Sequence, residues 1–554
     1  MKISRQIVFL IFILLIAGFL RFYNLMFDAP YFANPDERNM ANAITQFHFP
    51  ENLNPNFFAY GQLPLYLAFF SDQISQLFTT HYSLPTTFSS AIFYLRFYSA
   101  LSSILTVLMV YLISKELFKN LDYLKFLAAL FAAFTPGLIQ SAHFGTTESL
   151  LTFFFITSVY LSIKYLNSHQ KFIIYHLSFI ILASLIIGLA IGTKLTGIFC
   201  LIPPLLVLTI DTKQLKLKVI SILFLILGSL AVFLLTSPYN FLALDDFKSA
   251  VFGYEQDVAT GRYKAFYTVQ FEKTIPILFQ LEKIFPYALG WPQFLIGLLG
   301  LVLLIKRFRV HYILIISFLI YVLANAFLYA KWTRFLTPIF PLFSIFSAYF
   351  LFQILKFKRF KLLATALIFA LCTLSLLPGA AFMSIYTHPD TRVQASRWIY
   401  QNIPNNSYIL SETANVVDIP LPPETHNLQP TTYNLNIVSF DFYHLDENPI
   451  LFENLLNHLQ NADYIFIPSR RIFANYARLP EKYPILSKYY EFLFSGQLGF
   501  AKVAEITSYP KIDSIQFPDE NAEETWTVFD HPVVRIYKNT NNLTKNEYTS
   551  LFEN

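Results

Sequence analysis

Long apolar runs separated by short connections are the feature that most constrains the fold of this chain. About eleven such runs occur, near residues 6–23, 92–114, 126–141, 148–163, 173–191, 196–210, 218–236, 292–305, 311–330, 335–355 and 362–384. A bilayer core takes about 20 predominantly apolar residues per helix. The sequence therefore predicts a mainly α, multi-pass membrane helical bundle.

The composition supports this prediction. Apolar residues make up 55% of the chain, aromatic residues 18% and charged residues only 14%, whereas average soluble domains carry about 25% charged residues. The net charge of +5 comes from short basic clusters, which argues against a nucleic-acid partner. Both cysteines, Cys200 and Cys372, lie in apolar runs, and without a CxxC motif they indicate neither a disulfide framework nor a metal site.

Basic residues mark every second connection between the runs. They are Lys2 and Arg5, then Lys115, Lys119 and Lys125, then Lys164 and Lys171, then Lys213, Lys216 and Lys218, then Lys306, Arg307 and Arg309, and finally Lys356, Lys358, Arg359 and Lys361. Because basic connections stay cytoplasmic, we predict a cytoplasmic N-terminus in the plasma membrane. The first run could instead be a cleavable signal peptide, although Arg21 makes a poor cleavage site.

The same orientation places three long segments on the extracytoplasmic side. They are the first long loop (residues 24–90), the second long loop (residues 237–291) and the tail beyond residue 384. We assign residues 1–384 to a transmembrane catalytic domain and residues 385–554 to a soluble α/β domain. Its predicted helices cover residues 391–402 and 450–460, and its predicted strands cover residues 407–410, 464–468 and 533–537.

An acidic pair, Asp36 and Glu37, follows the first run within the first long loop. A carboxylate held there could accept the proton of an acceptor hydroxyl that attacks an anomeric carbon. One carboxylate is enough when the leaving group is a phosphate, whereas glycosidases usually need two. The alternative is that both are solvated loop charges, or that they cap a helix over residues 38–47.

His143 and Glu148 lie in the next connection predicted to face outward. A histidine and a carboxylate at a membrane surface can bind a divalent cation, which is the one cofactor that the sequence suggests. Two side chains are an incomplete ligand set, and Glu148 could equally favour the N-terminus of the following helix.

Departure of a lipid phosphate builds negative charge that cations can stabilise. The cationic side chains near the predicted outer boundary are Lys194, Arg334, Arg262, Lys331 and Arg38. Lys194 and Arg334 stand beside apolar spans, where a charge is costly. Each could instead only extend to the membrane interface. The second long loop could form a lid over the site or lie passively on the membrane.

Together these residues resemble the GT-C superfamily of membrane glycosyltransferases, in particular the branch with protein O-mannosyltransferases and the aminoarabinose transferase of lipid A. The resemblance covers residues 5–384. The shared motifs are Pro35-Asp36-Glu37, the acidic residue at the end of His143–Glu148, Thr193-Lys194, and Arg334-Phe335-Leu336-Thr337-Pro338 with Pro341.

The resemblance implies a GT-C fold and inverting transfer from a polyprenyl-phosphate-linked sugar to a lipid, glycan or protein acceptor. Asp36 would be the catalytic acidic residue with Glu37 as its partner, and Lys194 and Arg334 would face the lipid phosphate. The tail carries Thr525-Trp526-Thr527-Val528-Phe529-Asp530-His531-Pro532 but no WWDYG-like motif of oligosaccharyltransferases.

Two other functions compete with this interpretation. A transporter or flippase of lipid-linked sugars needs ionisable groups near the midplane of the membrane, whereas the polar residues here gather at one face. A non-catalytic anchor would need far fewer spans and would leave the acidic first loop unexplained.

Overall fold

The computed structural model describes residues 5–79, 85–119, 123–168, 173–211, 214–356, 361–413, 417–422 and 434–553. Of the basic residues behind the predicted orientation, Lys2, Lys171, Lys213, Lys358 and Arg359 lie outside these ranges. The chain divides into two compact units. The helical unit comprises Met1–Met26, Pro35–Tyr263 and Ile275–Met383, and the tail unit comprises Phe27–Asn34, Lys264–Thr274 and Ser384–Asn554.

The helical unit is built from helices of very different length. They are α1 (Arg5–Phe22), α2 (Pro35–Ile44), α3 (Leu63–Thr79), α4 (Phe88–Leu117), α5 (Leu124–Ala133), α6 (Pro136–His143), α7 (Glu148–Asn167), α8 (Ile173–Thr193), α9 (Ile202–Asp211), α10 (Leu215–Thr236), α11 (Tyr239–Leu242), α12 (Leu244–Lys248), α13 (Gln256–Thr260), α14 (Leu278–Lys283), α15 (Phe285–Ala288), α16 (Trp291–Ile305), α17 (Phe308–Ala326), α18 (Phe340–Ile354) and α19 (Lys361–Phe382). 3₁₀ turns cover Leu195–Leu201 and Thr333–Ile339, and a π-helical turn covers Ser249–Glu255.

Within the described ranges, seven helices are long and apolar enough to cross a membrane, and the bent pair α5–α6 makes an eighth if it is one span. Three further apolar helices are shorter: Leu195–Ile210, Trp291–Ile305 and His311–Ala326. Each of the predicted runs coincides with one of these helices or with the pair. The predicted multi-pass helical bundle is therefore confirmed, although length and composition alone qualify fewer spans than the sequence suggested.

A buried arginine donates hydrogen bonds to backbone carbonyls at the break between α5 and α6. The two helices meet at an angle of 50°, because Pro136 cannot donate the hydrogen bond that would continue α5. Arg21 is fully buried and donates from Nη1 to the carbonyl of Ala133 at 2.9 Å and from Nη2 to that of Ala132 at 3.1 Å. It thus satisfies carbonyls that the end of a helix leaves without intrahelical partners.

A close backbone approach joins the first long loop to the end of α8. The N–H of Gly61 donates to the carbonyl of Thr193 at 3.0 Å. A Cβ at Gly61 would lie 2.0 Å from the carbonyl oxygen of Gly192, so a larger residue would push the loop away. This contact brings Tyr60 next to Lys194.

The tail unit contains a five-stranded mixed sheet in the order β2-β1-β3-β7-β4. Its strands are β1 (Tyr408–Glu412), β2 (Asn436–Phe440), β3 (Tyr464–Ile467), β4 (Phe500–Ile506) and β7 (Val534–Asn539), and β5 (Lys511–Ile512) pairs with β6 (Ile515–Gln516) separately. β1 is parallel to β2 and β3, whereas β7 is antiparallel to β3 and β4.

Helices cover both faces of this sheet. They are α20 (Thr391–Asn402), α21 (Pro449–Asn461), α22 (Phe473–Tyr476), α23 (Pro484–Ser495), α24 (Thr525–Val528) and α25 (Lys545–Glu553). One apolar core contains Leu455 and Leu493, and the other contains Ile399. The predicted α/β elements of the tail are confirmed, with ends shifted by at most two residues. The sequence did not predict that residues 27–34 and 264–274 would belong to this unit.

Candidate active site

Asp36 lies in the first turn of α2, where Pro35 starts the helix with a preset φ angle. Arg334, in the 3₁₀ turn that leads into α18, donates from Nη1 to Oδ2 of Asp36. The Tyr60 hydroxyl is 3.5 Å from the same nitrogen. The side chains of Asp36 and Arg334 are 23% and 28% exposed, so this carboxylate is paired and yet open to an approaching molecule.

Glu37 has very different surroundings. Its side chain is fully buried. Its carboxylate accepts from Arg96 Nε at 3.0 Å, from Arg96 Nη2, and from the N–H of Gly145 at 2.7 Å. Arg96 also donates to the carbonyl of Leu25 at 2.8 Å. Glu37 therefore joins α2 to α4 and to the loop before α7, and it holds the helix turn that carries Asp36.

Lys194 is fixed on two sides at the end of α8. Its Nζ donates to Oε1 of Glu148 at 3.0 Å. The ammonium also lies 5.1 Å from the ring centroid of Tyr60 and 5.4 Å from that of Phe335, within the range of cation–π attraction. Since its side chain is only 13% exposed, Lys194 is a partly desolvated cation held in one position.

Lys194 and Arg334 line the same cavity, which has a volume of about 390 Å³. Its wall is mostly apolar and aromatic and is formed by residues 58–61, by the end of α8 and the turn after it, by residues 325–335, and by the second long loop. An apolar cavity with two cations suits an amphipathic ligand that carries an anionic group. Arg334 lines this cavity and also pairs with Asp36, so one side chain connects the cavity to the acidic residue.

The second long loop forms one side of the cavity with Phe247, Val251, Phe252, Glu255, Gln256 and Ala259. The carbonyl of Ala259 accepts from the N–H of Ala330 at 3.1 Å, which ties the loop to the chain before Arg334. Burial raises the pKa of Glu255, and the positive charge of Lys194 opposes that shift. Glu255 thus places an acidic group on the wall of the cavity that Lys194 and Arg334 also line.

Three other predicted cations do not line this cavity. Arg262 is exposed, and its Nη1 lies 3.6 Å from Oδ1 of Asp257. Lys331 is buried, donates to the carbonyl of Tyr329 at 2.9 Å, and has its pKa lowered by that burial. The guanidinium of Arg38 lies 5.6 Å from the centre of the Phe88 ring.

His143 is buried, and both of its ring nitrogens face backbone carbonyls. Nδ1 is 2.9 Å from the oxygen of Ile139 and Nε2 is 3.1 Å from that of Tyr23. Glu148 is paired with Lys194, and no group of three or more His, Cys, Asp or Glu side chains suited to a metal occurs in the described part of the chain. The predicted metal site at His143 and Glu148 therefore stays a prediction.

Sequence reasoning missed Arg96 and Tyr60 as parts of the site, and it gave Phe335 only as a member of the motif that begins at Arg334. Arg96 had a usable signal, because a charged residue within an apolar run is costly unless it has a partner. Tyr60 had none, since Phe and Tyr are abundant throughout this chain, with 61 and 34 copies.

Residues 9–245 match the family model described as dolichyl-phosphate-mannose-protein mannosyltransferase. No curated protein matches the sequence. Among solved structures, the apo oligosaccharyltransferase of Archaeoglobus fulgidus is similar, with a TM-score of 0.53 and 14% identity over 88% of this chain and 73% of that chain.

Two lipid-bound structures are also similar. The Archaeoglobus fulgidus oligosaccharyltransferase in complex with an inhibitory peptide and a dolichol-phosphate has a TM-score of 0.51 and 14% identity, over 87% of this chain and 72% of that chain. ArnT from Cupriavidus metallidurans bound to undecaprenyl phosphate has a TM-score of 0.49 and 12% identity, over 96% and 97% of the two chains. At these identities the likeness concerns the fold.

Proposed function

We propose that this chain is a multi-pass membrane glycosyltransferase of the GT-C superfamily, which moves a sugar from a polyprenyl-phosphate donor to an acceptor hydroxyl on the extracytoplasmic side, with inversion at the anomeric carbon. The acceptor is a lipid, a glycan or a protein. The observation that carries this proposal is that Arg334 both pairs with Asp36 and lines the cavity.

The cavity supports a lipid-phosphate donor. Its aromatic and aliphatic wall suits the first isoprene units, and Lys194 and Arg334 suit the phosphate. The matched family is named for a dolichyl-phosphate sugar, and one of the similar structures holds a dolichol-phosphate. Glu255, Asn240 and Asn325 on the same wall offer hydrogen-bond partners to sugar hydroxyls.

In the proposed reaction, Asp36 accepts the proton of the acceptor hydroxyl as that oxygen attacks the anomeric carbon. A new glycosidic C–O bond forms, and the bond between the anomeric carbon and the phosphate oxygen breaks on the opposite face. The electron pair leaves with the polyprenyl phosphate, whose charge Lys194 and Arg334 stabilise. Because phosphate is already a good leaving group, no second acid is needed.

Arg334 connects donor binding to the base. Its guanidinium pairs with Asp36. A bound phosphate competes for the same guanidinium, which leaves the Asp36 carboxylate more available to the acceptor hydroxyl. Glu37 contributes by position, because its buried pair with Arg96 fixes the start of α2.

The test replaces Asp36 with Asn in the full chain and measures sugar transfer in membranes supplied with polyprenyl-phosphate mannose and, separately, a polyprenyl-phosphate pentose. Loss of a general base lowers rates by about 10²–10⁴-fold, so we expect D36N to lose transfer while still binding polyprenyl phosphate.

Glu51→Gln is the matched control, because it removes an exposed carboxylate from the same long loop, and it should transfer sugar like the unchanged protein. Transfer by D36N at the unchanged rate would refute the role of Asp36. Absence of transfer by the unchanged protein with either donor would refute the assigned donor class.

A further inference from the structure

The tail unit includes two segments that continue directly into the candidate active site. Residues Phe27–Asn34 end immediately before Pro35 and Asp36. Residues Lys264–Thr274 begin five positions after Ala259, the last residue of the second long loop that lines the cavity. Whatever holds these segments therefore restrains, through the chain itself, the base on one side and the cavity wall on the other.

Three hydrogen bonds from the rest of the tail unit hold the backbone of the segment Lys264–Thr274. The hydroxyl of Tyr476 donates to the carbonyl of Phe266 at 3.1 Å. Arg478 Nη2 donates to the carbonyls of Val269 at 2.7 Å and Glu272 at 2.8 Å. Because these carbonyls are satisfied by the tail unit, they fix the path of the segment.

This segment lies at a recognisable place on the sheet. The ring of Phe266 packs 4.7 Å from that of Tyr443, which follows the carboxyl end of β2, and Tyr476 follows the carboxyl end of β3. In open sheets with parallel strands, ligands bind in the crevice outside the carboxyl ends. Here the chain's own second long loop occupies this edge.

Gln270 is the most specific contact of the segment. It is 6% exposed. Its Nε2 donates to Oε1 of Glu523 at 2.8 Å, and its Oε1 accepts from the N–H of Glu524 at 3.1 Å. Arg471 pairs with the buried Glu524 carboxylate, so Gln270 is bound to a buried, charged element.

The same element reaches the other segment. Asp519 accepts from Trp526 Nε1 at 2.9 Å and from His531 Nε2 at 2.9 Å. The other ring nitrogen of His531 contacts Asp530. These residues form a buried, charged network that includes Trp526, Asp530 and His531 of the Thr525–Pro532 motif, and we refer to residues 519–531 as the hub.

Tyr386 links the hub to the segment before Asp36. Its hydroxyl donates to Oδ2 of Asp530 at 3.2 Å. Its ring packs edge-on against Phe27 with centroids 5.0 Å apart. One element of the tail therefore contacts residues 264–274 through Gln270 and residues 27–34 through Tyr386.

We propose that the tail is a positioning domain whose hub holds both long loops, so that Asp36 and the second-loop wall of the cavity keep the separation needed for transfer. This inference rests on the proposed function. Gln270 and Tyr386 are positioning residues, since they act through the loops they hold. The Thr525–Pro532 motif contributes side chains to the hub.

The test uses Gln270→Ala in the full-length protein in detergent. We expect transfer with polyprenyl-phosphate mannose to fall about tenfold in kcat/KM, because misplacement of reacting groups is costly. We also expect trypsin to cleave after Arg262 and Lys264 about tenfold faster, with cleavage elsewhere unchanged. Glu523→Gln, made alone, keeps an oxygen that accepts from Gln270 and should show the slow cleavage and near-normal transfer of the unchanged protein.

Tyr548→Phe is the matched control. It removes a buried hydrogen bond to the carbonyl of Leu498 in the same unit, away from both segments, and should change neither readout. If trypsin cleaves the Gln270→Ala variant no faster than the unchanged protein, and the variant transfers sugar equally well, the positioning role is wrong even though D36N is inactive. If the unchanged protein shows no transfer, the donor proposal fails, while the cleavage pattern still decides the positioning role.

Discussion

At the scale of single residues, the carboxylates of Asp36 and Glu37 show how burial separates two neighbours. Asp36 is partly exposed and shares Arg334 with the cavity, whereas Glu37 is fully buried against Arg96 and the N–H of Gly145. A buried ion pair is costly to form and more costly to break, because removal of one partner leaves an uncompensated charge. Glu37 is therefore suited to hold the structure and Asp36 to react.

Arg96→Ala should destabilise the helical unit by about 3–5 kcal/mol, since it leaves the Glu37 carboxylate buried without its ion pair. The measurement is thermal unfolding of the purified protein in detergent. Arg38→Ala is the comparison, because it removes a partly exposed arginine whose contact with Phe88 is worth about 0.5–1 kcal/mol. Equal losses for the two variants would mean that the Glu37–Arg96 pair does not fix α2.

At the scale of elements, the hub depends on the charge state of His531. Burial disfavours the charged ring, but the carboxylates of Asp530 and Asp519 outweigh it and raise the pKa of His531 to about 10. The folded state then binds this proton more tightly than the unfolded state does. Its contribution to stability is complete below the ordinary pKa of about 6.5 and is lost as pH rises through about 10.

The thermal unfolding temperature of the tail should therefore fall between pH 7 and pH 10. It is measured by the fluorescence of Trp526 after Trp291, Trp332 and Trp398 are replaced with Phe. Burial also raises the pKa of Glu412 to about 8. The folded state therefore holds this proton more tightly as well, which adds a decrease in stability as pH rises toward 8. His531→Asn should remove the part of the loss above pH 8. An unfolding temperature that is constant or rises over this range would contradict a charged His531.

At the scale of the whole molecule, membership of one compact unit constrains the topology. Residues 27–34, 264–274 and 384–554 all belong to the tail unit, so they must lie on one side of the membrane, and an even number of spans must separate them. Between the first two segments, the described helices supply an odd number of spans: α4, the pair α5–α6, α7, α8 and α10. With the pair counted as one span, Leu195–Ile210 must cross as well.

This topology is tested by labelling single cysteines in intact cells, after Cys200 and Cys372 are replaced with Ala. Cysteines at the exposed positions Glu51, Asp246 and Asn402 should react with a membrane-impermeant maleimide. A cysteine at the exposed Lys306 should react only after permeabilisation. Labelling of all four positions from the same side would overturn both the span count and the predicted orientation.

Local patterns in the sequence determined the helical runs, the alternation of basic connections and the elements of the tail. Each of these follows from hydropathy or periodicity over a short window, so neighbouring residues are sufficient. The acidic pair, Lys194 and Arg334 were also visible as charges in unusual positions. Local patterns could not distinguish Asp36 from Glu37, because the difference lies in what each side chain meets.

Only the tertiary structure decided which side chains contact each other. Arg334 reaches Asp36 across 298 positions of sequence, Arg96 reaches Glu37 across 59, and Gln270 reaches Glu523 across 253. Such contacts follow from how helices and loops pack over long separations, which no local periodicity encodes. For the same reason, the sequence showed a tail and two long loops as separate segments, whereas folding joined parts of all three into one unit.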